Sequence, residues 1–328
     1  MNLSIIIVNY NTYDHVVTCL RSIETYYGID KPEVIVVDNN SSDKRIETIF
    51  QTFPGTRFIQ AGYNSGFAYA NNRGIETASY ENLLLLNPDT EFIDGSLRKC
   101  LEILRTNNKV VACGCSLLNP DRSSQVSGGR ERDVFWYVEN IPLLGRLLQP
   151  IIHRKPTLYK VNEQLIEVEW IMGAFMMVKR DIVAKAGMLD ESFFMYAEEI
   201  EWCHRLRKFG NLCLVQDTKV IHHIGGSSGA YYETEAFRLS DKREKQRILS
   251  ILLLVKKIYG TGSFLLTLLA FVIGVPFYLV YPLYKLCRGE SKAVVGVMKE
   301  SLAYTANVAA WCLQAPAILF NVKKQYKI

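Results

Sequence analysis

The chain opens on a short β-branched run, Leu3 to Val8, that stops abruptly at Asn9-Tyr10-Asn11-Thr12. A brief apolar block bounded by turn formers predicts a buried strand, and the helical spacing of apolar residues from His15 to Tyr27 predicts the helix that follows. The pairing recurs. Glu33 to Val37 predicts a second strand, closed by Asp38-Asn39-Asn40-Ser41-Ser42-Asp43, a capping sequence for a helix reaching about Phe53. A further helix from Phe67 to about Ser79 leads into a third strand, Asn82 to Leu86, which ends at Asn87-Pro88-Asp89-Thr90. Strands alternating with helices predict an α/β domain: a Rossmann-like, mostly parallel, doubly wound sheet flanked by helices. Ligands of such sheets bind beyond the carboxyl ends of the strands. The clusters at Asn9-Tyr10-Asn11, Asp38-Asn39-Asn40-Ser41 and Asn87-Pro88-Asp89 fall there and are expected to converge on one crevice, although these are also ordinary turn residues.

Composition narrows the chemistry. At 328 residues, 49% hydrophobic and 22% charged, the chain is long enough for one large domain with an appendage or for two, and has no low-complexity tract. A net charge of +5 without a basic stripe argues against nucleic acid and for anionic lipid or a phosphorylated substrate. The eight cysteines form no CxxC pair, as expected of core thiols in a reducing compartment. Leu3 to Val8 lacks a basic n-region and is too short for a signal peptide, so the catalytic part is expected in the cytosol. Neither GxGxxG nor GxxxxGK[ST] occurs. Phosphate charge must then be met otherwise, and a divalent ion held by a strand-end carboxylate is the natural substitute, with Asp89 as its ligand.

Taken in order, the segments Ser4 to Asn11, Val36 to Asp43, Gly66 to Gly74 and Leu86 to Thr90 resemble the motifs of inverting family 2 glycosyltransferases with the GT-A fold. The likeness continues through Trp170 to Phe175, Asp190 to Glu199 and His222 to Ser228, covering about the first 230 residues. Within that family the chain looks like bacterial rhamnosyltransferase-like enzymes of surface-polysaccharide synthesis. The resemblance implies a nucleotide-diphosphate sugar donor, dTDP-rhamnose in the first instance, contacted by Val8, Asn9, Tyr10, Asp38, Asn40, Asn71, Asn87, Pro88 and Asp89. Asp38 would read the base. Asp89 matches the last acid of the DxD-type motif and, with His222, would hold Mg²⁺ or Mn²⁺; Asn87 stands where that motif has an acid. Glu199 falls at the catalytic base, with Glu198 and Glu201 as alternatives and Trp170 and Gly173 beside the acceptor. An acidic first helical turn is the plain structural alternative for the three glutamates. Neighbouring residues of an extended stretch face opposite ways, so one of His222 and His223 can point into the site. The implied mechanism is a single in-line displacement with inversion. Two other classes stay open: a catalytically silent sugar-nucleotide- or glycan-binding subunit, and an assembly subunit that only docks partners.

The domain boundary is expected near 235/236, because the character of the chain shifts there. Lys256-Lys257 precede an uncharged stretch from Gly260 to Tyr284, and a second runs from Ser301 to Val322. Both are long enough to cross a bilayer. Either topology, one span or two, would export lysines against the positive-inside tendency, so helices lying in the cytoplasmic leaflet are favoured over spans. That position would suit a polyprenyl-diphosphate-linked glycan acceptor at the cytoplasmic face of the plasma membrane. A buried homo-oligomerisation bundle is the alternative reading of residues 236–328.

Overall fold

A computed structural model describes residues 2–27, 31–131, 141–148, 159–160, 164–223 and 242–327. Two compact units emerge: Met1–Arg130 with Thr157–Asp190 and Glu199–Thr234, and Glu131–Pro156 with Glu191–Glu198 and Glu235–Ile328. Two inner segments, Glu131–Pro156 and Glu191–Glu198, group with the C-terminal helices, which no composition shift announces.

The first unit begins β1 (Leu3–Asn9), α1 (Tyr13–Tyr27), β2 (Glu33–Asp38), a 3₁₀ turn over Lys44–Thr48, α2 (Ile49–Thr52), β3 (Thr56–Gln60), α3 (Gly66–Thr77) and β4 (Asn82–Leu86). It continues β5 (Thr90–Phe92), α4 (Ser96–Thr106), β6 (Val110–Leu118) and β7 (Gly128–Gly129). After the short helix α5 (Leu144–Leu148) of the second unit come β8 (Tyr159–Lys160), β9 (Leu165–Val168), β10 (Trp170–Ile171), β11 (Phe175–Lys179), α6 (Arg180–Ala186), α7 (Glu198–Leu206) and β12 (Asn211–His222). The main sheet runs β3-β2-β1-β4-β11-β6-β12-β9-β8, with β5 on β12. Its first half, β3-β2-β1-β4, is parallel throughout. The expected strands lie at Leu3–Asn9, Glu33–Asp38 and Asn82–Leu86, while the helix expected up to Phe53 is a 3₁₀ turn followed by a single turn of α-helix.

Ile5, Ile6 and Ile7 of β1, Ile35 to Val37 of β2 and Leu83 to Leu86 of β4 are buried, as are Val16, Cys19, Leu20 and Ile23 of α1. Strands covered on both faces read as continuous apolar runs, which is why these were legible. Helix α3 sits close on the sheet because Gly74 faces Ile6; an added Cβ would collide with the Ile6 side chain. The burial also fixes register, pairing Asn9 with Asp38 and Ile7 with Leu86, so that the polar ends of β1, β2 and β4 lie side by side.

The second unit is built on α8 (Lys242–Cys287) and α9 (Ser291–Leu319). Gly260, at φ 83°, interrupts α8. Pro282 lacks the N–H that would bond the Tyr278 carbonyl, and the Ser301 hydroxyl of α9 supplies a donor to that oxygen at 2.7 Å, with the Val297 carbonyl also in reach at 2.8 Å. Lys256 caps the last turn of α9, bonding the Leu319 carbonyl at 2.7 Å, Asn321 Oδ1 at 2.8 Å and the Ile318 carbonyl. The inserted stretch Glu191–Glu198 is tied to the chain's last residues: Tyr326 N–H donates to the Ser192 carbonyl at 2.9 Å, and Ser250 Oγ to the Met195 carbonyl at 2.7 Å. Both long helices have the length and apolar character needed to cross a membrane.

Candidate active site

Where β1 and β2 end, the paired residues Asn9 and Asp38 build a buried junction. Asn9 Nδ2 donates to Asp38 Oδ1 at 2.8 Å and to Ser41 Oγ at 2.9 Å, while the Ser41 N–H donates to Asp38 Oδ2 at 3.0 Å. Asn9 Oδ1 accepts from the Thr12 N–H and hydroxyl, at 3.1 and 2.9 Å, and so sets the entry into α1. Asn11 and Asn40 take left-handed backbone conformations, φ 56° and 64°, which asparagine tolerates best among residues with a side chain. Asp38 is wholly buried and already accepts protein hydrogen bonds on both oxygens, so any base edge it reads must meet its remaining lone pairs. Val8 is half-buried, and the Tyr10 ring stands 40% exposed at the rim. Asn39 extends the junction to the α3 loop, accepting from the Ser65 N–H at 3.1 Å and donating to the Gly66 carbonyl at 3.2 Å. Asn71 is turned back on its own helix, Nδ2 donating to the Phe67 carbonyl at 3.0 Å.

At the end of β4 the chain turns through Asn87-Pro88-Asp89 into β5, held by the Asn87 N–H on the Ala174 carbonyl at 3.0 Å and Thr90 Oγ1 on the Asn87 carbonyl at 2.7 Å. Asp89 is 2% exposed. A bulge between Val215 and Lys219 resets β12 so that its end pairs antiparallel with β5, His222 opposite Thr90. His222 Nε2 thereby lies 3.3 Å from Asp89 Oδ1 and 3.4 Å from Asn87 Nδ2. Asp89 Oδ1 accepts no hydrogen bond. His223 faces the other way, its Nε2 3.3 Å from Glu91 Oε2. The glycine-serine stretch from Ile224 to Ser228 lies outside the described residues.

These residues fit a hard divalent cation. A buried carboxylate oxygen without a donor faces an imidazole nitrogen, and an amide sits beside them, which leaves the rest of the shell to substrate phosphate and water. No group of three His, Cys, Asp or Glu side chains converges among the described residues.

Glu199 lies in the first turn of α7, half-buried, and burial pushes its carboxyl up to about 7 while its own backbone N–H pulls partly back. Gly173 keeps the ground beside it open: a Cβ there would lie 3.7 Å from Glu199 Cβ and 3.2 Å from the Phe67 ring. Glu201, two residues further along α7, is engaged by Arg205, whose Nε and Nη2 each reach its carboxylate at 2.8 Å, while Nη2 also donates to the Met188 carbonyl and Nη1 to the Ala186 carbonyl. Its charge holds α7 to the preceding loop. Glu198 is buried at the helix start, and Trp170 is buried with Nε1 donating to the Arg130 carbonyl at 2.9 Å.

A parallel half-sheet whose strand ends gather amides and a cation-ready acid, with an elevated carboxylate on α7, is the kind of α/β arrangement used to handle phosphorylated ligands. The sequence pattern of glycosyl transferase family 2 matches residues 4–187, and the chain belongs to that family. It is 26% identical over 250 residues to N-acetylglucosaminyl-diphospho-decaprenol L-rhamnosyltransferase of Mycobacterium tuberculosis, covering 69% of this chain and 78% of the relative. It is 30% identical over 227 residues to the low-salt glycan biosynthesis hexosyltransferase Agl10 of Haloferax volcanii, covering 68% and 67%. Among solved structures, the mannosyltransferase PcManGT of Pyrobaculum calidifontis, in complex with GDP-Man and Mn²⁺, superposes with a TM-score of 0.57 at 14% identity, over 98% of this chain and 88% of that one. That likeness establishes a GT-A-like fold.

Proposed function

We propose that the protein transfers a sugar, rhamnose from dTDP-rhamnose in the first instance, to a hydroxyl of a polyprenyl-diphosphate-linked glycan, with inversion, during surface-polysaccharide synthesis at the cytoplasmic membrane face. The observation that carries this reading is the buried Asp89 oxygen facing His222 Nε2 at the end of β4. The name of the mycobacterial relative supports both the sugar and the lipid-linked acceptor. Asp89 and His222 would hold Mg²⁺ or Mn²⁺, which when bound neutralises the charge of the departing nucleoside diphosphate.

The chain's own residues do the remainder. The junction of Asn9, Asp38 and Ser41 fixes the floor on which the nucleoside sits, with Tyr10 at its rim. Glu199, in surroundings that raise its proton affinity toward neutrality, accepts the proton of the acceptor hydroxyl as that oxygen attacks the anomeric carbon. Gly173 leaves room for the acceptor beside it. A purified preparation is offered a polyprenyl-diphosphate-linked glycan together with dTDP-rhamnose or one of a panel of UDP- and GDP-sugars and Mg²⁺ or Mn²⁺, and released nucleoside diphosphate is measured. Release from dTDP-rhamnose that Asp89→Ala abolishes is the expected result. Binding of a nucleotide sugar without release would instead support the silent-subunit reading.

A further inference from the structure

Gln125 lies in the loop between β6 and β7, 9% exposed, and is absent from the motifs that carry the family resemblance. Its Nε2 faces acceptors only: the His222 carbonyl at 2.7 Å, Asn119 Oδ1 at 2.7 Å and the Leu118 carbonyl at 3.2 Å. The two backbone carbonyls can never donate, so the amide has one workable orientation; a flipped group would set oxygen against oxygen. Gln125 Oε1 therefore points at His222 Nδ1, 3.0 Å away, and can only accept. Nδ1 must carry the hydrogen. In the neutral form of the ring Nε2 is then the nitrogen with the lone pair, on the side where Asp89 Oδ1 lies 3.3 Å off.

We propose that Gln125 is a positioning residue that fixes His222 in the Nδ1–H tautomer and so makes Nε2 a ligand for the divalent ion shared with Asp89. The inference rests on the metal reading given above. It explains why a neutral amide rather than a carboxylate backs this histidine: only an amide also donates to the His222 carbonyl, locking backbone and ring of the same residue with one side chain. A metal-bound imidazole needs its second nitrogen anchored in this way, because a ring free to exchange tautomers offers the cation a hydrogen for part of the time.

The test is long-range ¹H–¹⁵N spectroscopy of histidine-labelled full-length protein with Mg²⁺ and dTDP, the His222 signal being the one lost in His222→Gln. A protonated Nδ1 with a bare Nε2 is expected. A protonated Nε2, alone or with Nδ1, overturns the proposal. In Gln125→Leu the fixed tautomer should disappear, and Mn²⁺ affinity measured by paramagnetic resonance with dTDP present should fall by roughly ten- to a hundredfold. Unchanged Mn²⁺ affinity in a folded Gln125→Leu protein also overturns it. If the wild-type protein binds no Mn²⁺ with dTDP, the metal reading fails, while the tautomer measurement still decides whether Gln125 sets the ring.

Discussion

Removing the charge of Glu199 is expected to act in opposite directions on turnover and on stability. The carboxyl sits at about 7 in the folded chain against an ordinary glutamate value of 4.5. Between those values the folded state keeps a proton that the unfolded chain releases, so stability falls as pH rises through that window, and the full penalty stands above about 7. Glu199→Gln carries no charge to desolvate. Its melting temperature should exceed that of the wild type at about pH 8, by the equivalent of about 2 kcal/mol once the residue's partial solvent contact is allowed for, and the two should converge on acidification. Turnover should fall by roughly a hundred- to ten-thousandfold, and wild-type kcat/KM should climb with pH and level off above about 7. A wild-type profile flat from about pH 5 to 8 removes Glu199 as the base.

Single residues were legible where chemistry is local and illegible where it depends on a distant partner. Asn9, Asp38 and Asp89 stand out because each follows an apolar strand. Asn71 and Glu201 look equally suited to a ligand in the sequence, yet one bonds its own helix and the other Arg205. Gln125 gave no signal, since the groups that fix its role arrive with β12, almost a hundred residues later in the chain.

At the scale of elements, continuous apolar runs gave away β1, β2 and β4. Strand β3 escaped because Thr56–Gln60 is a polar-flanked edge strand with only Thr56 buried. Strands β6, β11 and β12 escaped because their pairing, antiparallel for β11 and parallel between β6 and β12, is set by tertiary contacts. Packing between elements makes two tests. Gly74→Ala would ordinarily favour a helix, but the clash with Ile6 reverses the sign, and we expect a loss of about 1–3 kcal/mol in thermal unfolding that Ile6→Ala relieves. Ser301→Ala should cost about 1–2 kcal/mol by leaving the Tyr278 carbonyl without its donor. In a Pro282→Ala background, where the helix regains its own N–H, that cost should shrink; an equal cost in both backgrounds would show the hydroxyl serves another purpose.

At the scale of the molecule, exposed Leu265, Leu266, Leu269, Val280 and Leu283 on α8 and Leu302 and Leu313 on α9 leave the second unit with an apolar exterior. The protein should therefore sediment with membranes, resist extraction by high salt and be released by detergent. A protein that stays in the supernatant without detergent would point instead to a helical bundle covered by further copies of itself.

The bond from Tyr326 to Ser192 has a consequence for biosynthesis. The stretch Glu191–Glu198 gains its first anchor with Ser250 of α8 and its second only after α9 has left the ribosome. A nascent chain can thus close the parallel strands β1 to β4 early, while residues 191–198 settle last, so a product truncated before Tyr326 is expected to be cut by protease within that stretch faster than the full-length chain.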